Sequence, residues 1–257
     1  MLQGKVVVVS GVGPGLGRAV AVGAARAGAE VVLAARNDAV LAEVAGEVER
    51  AGGRAVTVPT DITDPEAAEN LVRSTVQAFG RVDVLVNNAF AVPPLVPLTE
   101  LDPAAVHAEL DTDVFGALRL TRLMAEHLAA AQGSVVMVSS ISARQSRPGF
   151  GAYKLTKSAL IALAQTFATE LGPRGVRVNA VVPGSIWAPP LQAYYDYLAG
   201  ERGVTAEEIY SETAANLDLR RLPEAAEVAN AVLFLASDLA RAITGQCLDV
   251  NCGEYHH

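Results

Sequence analysis

Seven apolar runs of strand length recur along this chain, at residues 5–9, 30–34, 54–59, 83–86, 134–138, 177–182 and 246–250. Between them lie longer stretches of helical periodicity that begin near Leu16, Asp38, Asp64, Thr99, Tyr153 and Glu224. Strand, helix, strand in regular repetition demands parallel pairing, because each helix carries the chain back across the sheet by a right-handed crossover. Helices then cover both faces, so the strands are buried on both sides and read as continuous apolar runs rather than alternating ones. The pattern predicts a doubly wound α/β fold, one domain over residues 1–257, with a central, mostly parallel, seven-stranded sheet flanked by helices.

One stretch departs from this rhythm. Residues 184–223 span about forty residues where a short connection is normal. Trp187, the one tryptophan of the chain, and four of its six tyrosines (Tyr194, Tyr195, Tyr197 and Tyr210) fall inside it. Two readings stand. The segment is a helical flap packing its aromatics on the body of the protein or on another subunit, or it is a lid in which Trp187, Tyr194, Tyr195 and Tyr197 line a pocket for a bulky, apolar substrate.

Charge and composition narrow the function. The net charge is −8, and Lys and Arg are scattered, so no basic patch argues for nucleic acid or an anionic membrane surface. A small molecule is the expected partner. No apolar run of about 18 residues occurs, and residues 1–10 are too short, and uncharged at their start, for a secretory signal, so the expected location is the cytoplasm. The two cysteines, Cys247 and Cys252, and the histidines, His107, His127, His256 and His257, have no zinc-site spacing. No metal is expected, and the thiols read as buried structural groups.

The segment "SGVGPGLG", residues 10–17, follows the first strand and opens the first helix. Backbone N–H groups at a helix N-terminus bind anions, and glycines let a phosphate approach closely. A P-loop needs Lys and then Ser or Thr after its last glycine, but Arg18 and Ala19 follow Gly17. The general G-x-G-x-x-G fingerprint also fails, since Leu16 and Arg18 stand where its third glycine is required. What remains is Gly11, Gly15 and Gly17 in the order G-x-x-x-G-x-G. Far downstream, Tyr153 and Lys157 lie four apart on one face of a predicted helix, thirteen residues after Ser140 at a strand end.

This set of motifs resembles the classical short-chain dehydrogenase/reductase (SDR) family over almost the whole chain. The resemblance takes in "DI" at Asp61 and Ile62, "NNA" at 87–89, "SS" at 139–140, "YKLTK", "NAVVPG" at 179–184 and the closing "TGQCLDVNCG". Each motif sits at the carboxyl end of a predicted strand, where an open parallel sheet binds its ligand. The resemblance implies a Rossmann-type fold, a homotetramer or homodimer, and an oxidoreductase interconverting a secondary alcohol and a ketone. It also implies that Tyr153 is the acid in reduction and the base in oxidation, that Lys157 is the cation favouring the phenolate and binding the ribose, and that Ser140 holds the carbonyl. The implied cofactor residues are Ser10, Gly11, Gly15, Leu16, Gly17, Arg36, Asp61, Ile62, Asn88, Ala89, Tyr153, Lys157, Pro183, Gly184, Ser185 and Ile186. Serine hydrolysis is set aside, since no histidine lies in these motifs and no G-x-S-x-G elbow is present.

Three positions depart from the family pattern. Phe90 replaces the glycine of "NNAG" and narrows the nicotinamide end of the site or forces the local backbone away. Asp113 replaces the catalytic Asn, adding a negative charge that favours a charged Lys157 while partly cancelling its field at Tyr153. Ala188 stands where a Thr often bonds the carboxamide. Ala35 and Arg36 end the second strand, with no carboxylate for the ribose hydroxyls and a guanidinium for a 2′-phosphate, so NADP is the expected cofactor. Pro14, where a second basic residue is common, and nearby Asp38 keep NAD as the alternative. Phe90 and Asp113 also motivate a reading from another class, a cofactor-binding protein with a regulatory or scaffolding role and little turnover.

Overall fold

The computed structural model describes residues 1–256; His257 lies outside the described residues. Seven strands form one sheet: β1 (Val6–Ser10), β2 (Glu30–Ala35), β3 (Ala55–Pro59), β4 (Val84–Asn87), β5 (Ser134–Val138), β6 (Arg177–Pro183) and β7 (Cys247–Val250). Their spatial order is β3-β2-β1-β4-β5-β6-β7, and every pairing is parallel. The order reverses between β1 and β4, which opens a crevice at the carboxyl ends of those strands, the position where such sheets bind ligands.

Helices α1 (Leu16–Arg26), α2 (Asp38–Arg50) and α9 (Ala225–Ala236) cover one face. The other is covered by α3 (Pro65–Phe79), α5 (Gly116–Ala130) and α6 (Gly151–Leu171). The period-2 geometry of a strand divides the core by residue parity. Val7 and Val9 pack with Val31, Leu33, Val84 and Val86 on the first face, while Val6 and Val8 pack with Val32, Ala34 and Leu85 on the second.

Local chemistry marks where helices begin. Asn37 caps α2 by accepting from the N–H groups of Ala39 and Val40, and Asp64 caps α3 ahead of Pro65. The pattern expected to begin near Thr99 starts later, because Asp102 is the capping residue and Pro103 the first helical one of α4 (Pro103–Leu110). It is also not one helix. Residues Asp111–Phe115 form a π-helical turn, after which α5 begins with Gly116 against the Ile62 side chain. Helix α6 begins at Gly151, two residues before Tyr153.

The long segment after β6 folds into α7 (Pro189–Arg202) and α8 (Ala206–Ala214). Its two ends are clamped where the Trp187 N–H donates to the Pro223 carbonyl at 2.8 Å. Cys247 and Cys252 are half-buried rather than buried, and both are free thiols.

Asp83, just before β4, ties the sheet's middle together. Its buried carboxylate accepts from the Val6 N–H at 2.9 Å and takes two bonds from the Arg81 guanidinium, at 2.8 and 2.6 Å. Its main chain bonds Val6 and Ser134, joining β1, β4 and β5. Replacing Asp83 with Ala leaves a buried N–H and a guanidinium without their acceptor. Urea unfolding of Asp83→Ala should show a loss of roughly 2–4 kcal/mol, with Asp83→Asn recovering part of it.

Candidate active site

The glycine turn between β1 and α1 is closed on one side and open on the other. Gly11 has φ +91°, and a Cβ there would stand 2.3 Å from the Ala89 nitrogen. A Cβ on Gly17 would meet the Gly11 carbonyl oxygen at the same separation. These two glycines let the turn press on the end of β4, where the Asn88 side-chain amide donates to the Gly11 carbonyl at 2.7 Å and the Asn88 N–H to Ser10. Gly13 instead faces open space, and a Gly15 Cβ would make only ordinary contacts, the nearest with Ala188 at 3.7 Å.

Helix α1 carries no capping side chain and no acidic residue in its first turn. Its first N–H groups and the positive end of its dipole therefore point at the open side, which suits an anionic diphosphate. The Ser10 hydroxyl is buried without a hydrogen-bond partner among the described residues. Asp61 and Ile62 follow β3. Two hydrogen bonds from Thr63, through its N–H and its hydroxyl, hold the Asp61 carboxyl below the usual range, with a smaller contribution from the charge of Arg36. Arg36 is exposed at the end of β2 and has no hydrogen bond or ion pair among the described residues.

Tyr153 and Lys157 lie on α6, and Ser140 leaves the end of β5. Ser139 fixes these two elements together by donating to the Lys157 carbonyl at 2.8 Å. Ser140 Oγ accepts from the Ser142 N–H at 3.2 Å, leaving its own proton to donate. Lys157 is 2% exposed, and its Nζ lies 5.2 Å from the centre of the Tyr153 ring. Phe90 covers the same ammonium from 5.4 Å, while remaining 47% exposed itself. The backbone thus accommodates a side chain where the family has glycine, and the ring adds a cation–π contact.

Asp113 is 1% exposed and ion-paired with Lys157, Oδ2 to Nζ, at 2.9 Å. Its Oδ1 accepts from the Ala91 N–H at 2.7 Å, which pins the loop after β4. Burial alone would lower the Lys157 pKa, but the Tyr153 oxygen, Asp113 and Glu109 outweigh it and hold the ammonium above the ordinary lysine value. Two participants escaped the sequence reading. Thr156 Oγ1 lies 3.4 Å from Asp113 Oδ2 and 3.5 Å from Glu109 Oε1, and Glu109 is itself buried. The available signal was spacing, since Glu109 stands four residues before Asp113.

Pro183 ends β6, and the Gly184 N–H donates to Val250. Ser185 is half-buried, and Ile186 packs on the core beside α1 and α9. Ala188 is buried at the start of α7, with its Cβ beside Gly15. In the segment above, Trp187 meets Tyr210 edge-on at 4.7 Å and Tyr195 at 5.7 Å. Tyr194 packs beside Tyr195, whose hydroxyl donates to Thr213 at 3.0 Å. These aromatics build a small core joining α7 and α8, whereas Tyr197 is 61% exposed outside it. No helix among the described residues is long and apolar enough to cross a membrane. No group of three or more metal-ligating His, Cys, Asp or Glu occurs among them.

Comparison with known proteins agrees with this geometry. A family model described as enoyl-(acyl carrier protein) reductase matches residues 11–255. An L-rhamnose 1-dehydrogenase (NAD(P)(+)) of Sphingomonas sp. (strain SKA58) is 35% identical, the match covering 99% of this chain and 98% of that protein. A 7alpha-hydroxysteroid dehydrogenase of Escherichia coli (strain K12) is 30% identical, with coverage of 98% and 94%. Among solved structures, L-sorbose reductase from Gluconobacter frateurii, complexed with NADPH and L-sorbose, superposes with a TM-score of 0.94 at 31% identity, covering 98% of this chain and 97% of that one. A glycine turn pressed on the end of β4, a Tyr and Lys on one helix face beside a strand-end Ser, and full-length similarity to dehydrogenases converge: this chain belongs to the short-chain dehydrogenase/reductase family of oxidoreductases.

Proposed function

We propose that this protein transfers a hydride between NADP(H) and a secondary alcohol or ketone that is bulky and apolar. The observation that carries the reading is the grouping of Tyr153 with a buried, ion-paired Lys157 on the helix that Ser139 ties to the Ser140 strand end. When bound, the nicotinamide supplies or accepts the hydride. Ser140 donates a hydrogen bond to the substrate oxygen, and Tyr153 gives that oxygen its proton in reduction and takes it back in oxidation. Lys157 stabilises the phenolate left on Tyr153.

Gly11, Gly15, Leu16 and Gly17 hold the diphosphate, with Asp61, Ile62, Asn88, Ala89 and the Pro183–Ile186 stretch around the rest of the cofactor. The unpaired, exposed guanidinium of Arg36 favours a 2′-phosphate there. An apolar substrate is supported by Phe90, exposed directly over Lys157, and by the aromatic content of the segment that begins at Trp187. Phe115 on the π-helical turn and Leu155 on α6, both half-exposed, favour assembly with further copies of the chain.

Nicotinamide absorbance with a panel of cyclic and steroidal ketones, set against L-rhamnose and L-sorbose, tests the substrate class. Turnover of the sugars alone would overturn the apolar assignment, and cofactor binding without any turnover would favour the regulatory role. Tyr153→Phe should lower turnover by about a hundredfold or more while cofactor binding, followed by fluorescence, persists. Arg36→Glu should weaken NADPH binding about 10- to 100-fold and leave NADH binding unchanged or improved, as read by titration calorimetry.

The sign of the Asp113 effect is also testable. Its carboxylate partly cancels the field of Lys157 at Tyr153, so Asp113→Asn should move the rising limb of the pH–rate profile for alcohol oxidation to lower pH. Superimposable profiles would refute that role.

A further inference from the structure

Glu109 is a buried acid that the proposed chemistry does not use. It lies in the last turn of α4 and is 3% exposed. Its Oε1 reaches only the Thr156 hydroxyl, at 3.5 Å, and its Oε2 is buried with no hydrogen-bond partner among the described residues. The charged groups facing it are Asp113, from the π-helical turn, and Lys157, from α6. Tyr153, one turn before Lys157, faces that same ammonium.

Counting charge in this space shows the conflict. One buried ammonium faces two buried carboxyl groups. Asp113 satisfies Lys157 directly at 2.9 Å and takes the Ala91 N–H as well, so it is the natural holder of the negative charge. Thr156 has a single proton to share between Asp113, Glu109 and the Tyr153 carbonyl, with which it is also in contact at 3.0 Å. A second carboxylate at Glu109 would be desolvated and would repel the first, a combination that stands only if the group keeps its proton.

We propose that Glu109 is a positioning residue that holds a proton beside the Asp113–Lys157 pair, and that its ionisation adds the second negative charge that weakens the Lys157 field on Tyr153. Burial, followed by the charge of Asp113, raises the Glu109 pKa above the ordinary carboxyl value, while Lys157 and Thr156 act in the opposite sense. The consequence is a two-step response to pH. While Glu109 is neutral, Lys157 acts on Tyr153 against one counter-charge; once Glu109 is ionised, it acts against two. The inference rests on the catalytic reading of Tyr153 and Lys157, but its test does not need turnover.

Infrared spectroscopy of the full chain carrying ¹³C-labelled glutamate, followed from acid to neutral pH, should show one protonated carboxyl band that outlasts those of the exposed glutamates and is absent from Glu109→Gln. Loss of every protonated band together with those of the exposed glutamates in the unmodified chain would mean that Glu109 ionises as an ordinary carboxyl, and would overturn the proposal without any variant being needed. Phenolate absorbance, taken as the difference from Tyr153→Phe, follows Tyr153 directly. In the Glu109→Gln background Tyr153 should ionise at lower pH, with roughly three- to tenfold more phenolate on the rising limb. Coincident titrations would overturn the coupling to Tyr153 even with the infrared band present. If no substrate is found, the proposed function fails while both spectroscopic results still decide the role of Glu109. A linked stability effect separates charge from packing. A pKa raised on folding gives stability that is full below the unfolded value and is lost as pH rises through the folded one. The melting temperature of the parent should therefore decline over that interval more steeply than that of Glu109→Gln.

Discussion

The ion pair between Lys157 and Asp113 is the contact around which the site is arranged. Taking both charges out of water is costly, and such a pair persists only where its remaining valences are also met. Asp113 meets them by accepting the Ala91 N–H, so the same carboxylate that anchors Lys157 on α6 also fixes the loop after β4. The Phe90 ring carried by that loop then lies against the ammonium. Three elements distant in sequence are thereby held to one point, with Tyr153 a single helical turn away.

The backbone is shaped to bring Asp113 there. A regular α-helix through residues 103–130 would keep an even register across the stretch, but the π-helical turn at Asp111–Phe115 widens it by one residue. Asp113 is buried within that turn, and Phe115 is left half-exposed at its end. Gly116 follows at once, where a Cβ would stand 2.5 Å from the Ile62 side chain. Thus the π turn, the glycine after it and the close approach to the β3 end belong to one local solution, with Asp113 at its centre.

These particulars explain which parts of the molecule were legible in the sequence. The strands were readable to within about a residue because the five inner ones, β2, β1, β4, β5 and β6, are buried on both faces almost throughout, and a run such as Val6–Val9 leaves little choice of structure, while the edge strands β3 and β7 are partly exposed. The glycine turn was readable from spacing, since Gly11 and Gly17 answer steric demands at fixed offsets. The π turn was not, because the apolar pattern continues through it and Thr99 offers a plausible start ahead of the true cap, Asp102. Glu109 was hidden for a different reason. In "HAELDTD" an acidic residue one turn before an Asp reads as part of a solvated helix face, and only the packing of α4 against α6 shows that both are buried.

The aromatic segment shows the same limit of composition as evidence. A concentration of Trp and Tyr predicts apolar burial, but not what is buried against what. Here α7 and α8 project away from the main core and need one of their own, which Trp187, Tyr195 and Tyr210 supply with Ile209 and Leu222. Tyr195 satisfies its hydroxyl on Thr213 within the segment. The segment has its own core, is clamped at its base between Trp187 and Pro223, and is tied again to the turn after β7, where the Leu219 N–H donates to the Cys252 carbonyl at 3.1 Å. The two readings of the segment are therefore compatible, since the internal packing that makes it a flap is also what gives a lid a rigid inner face.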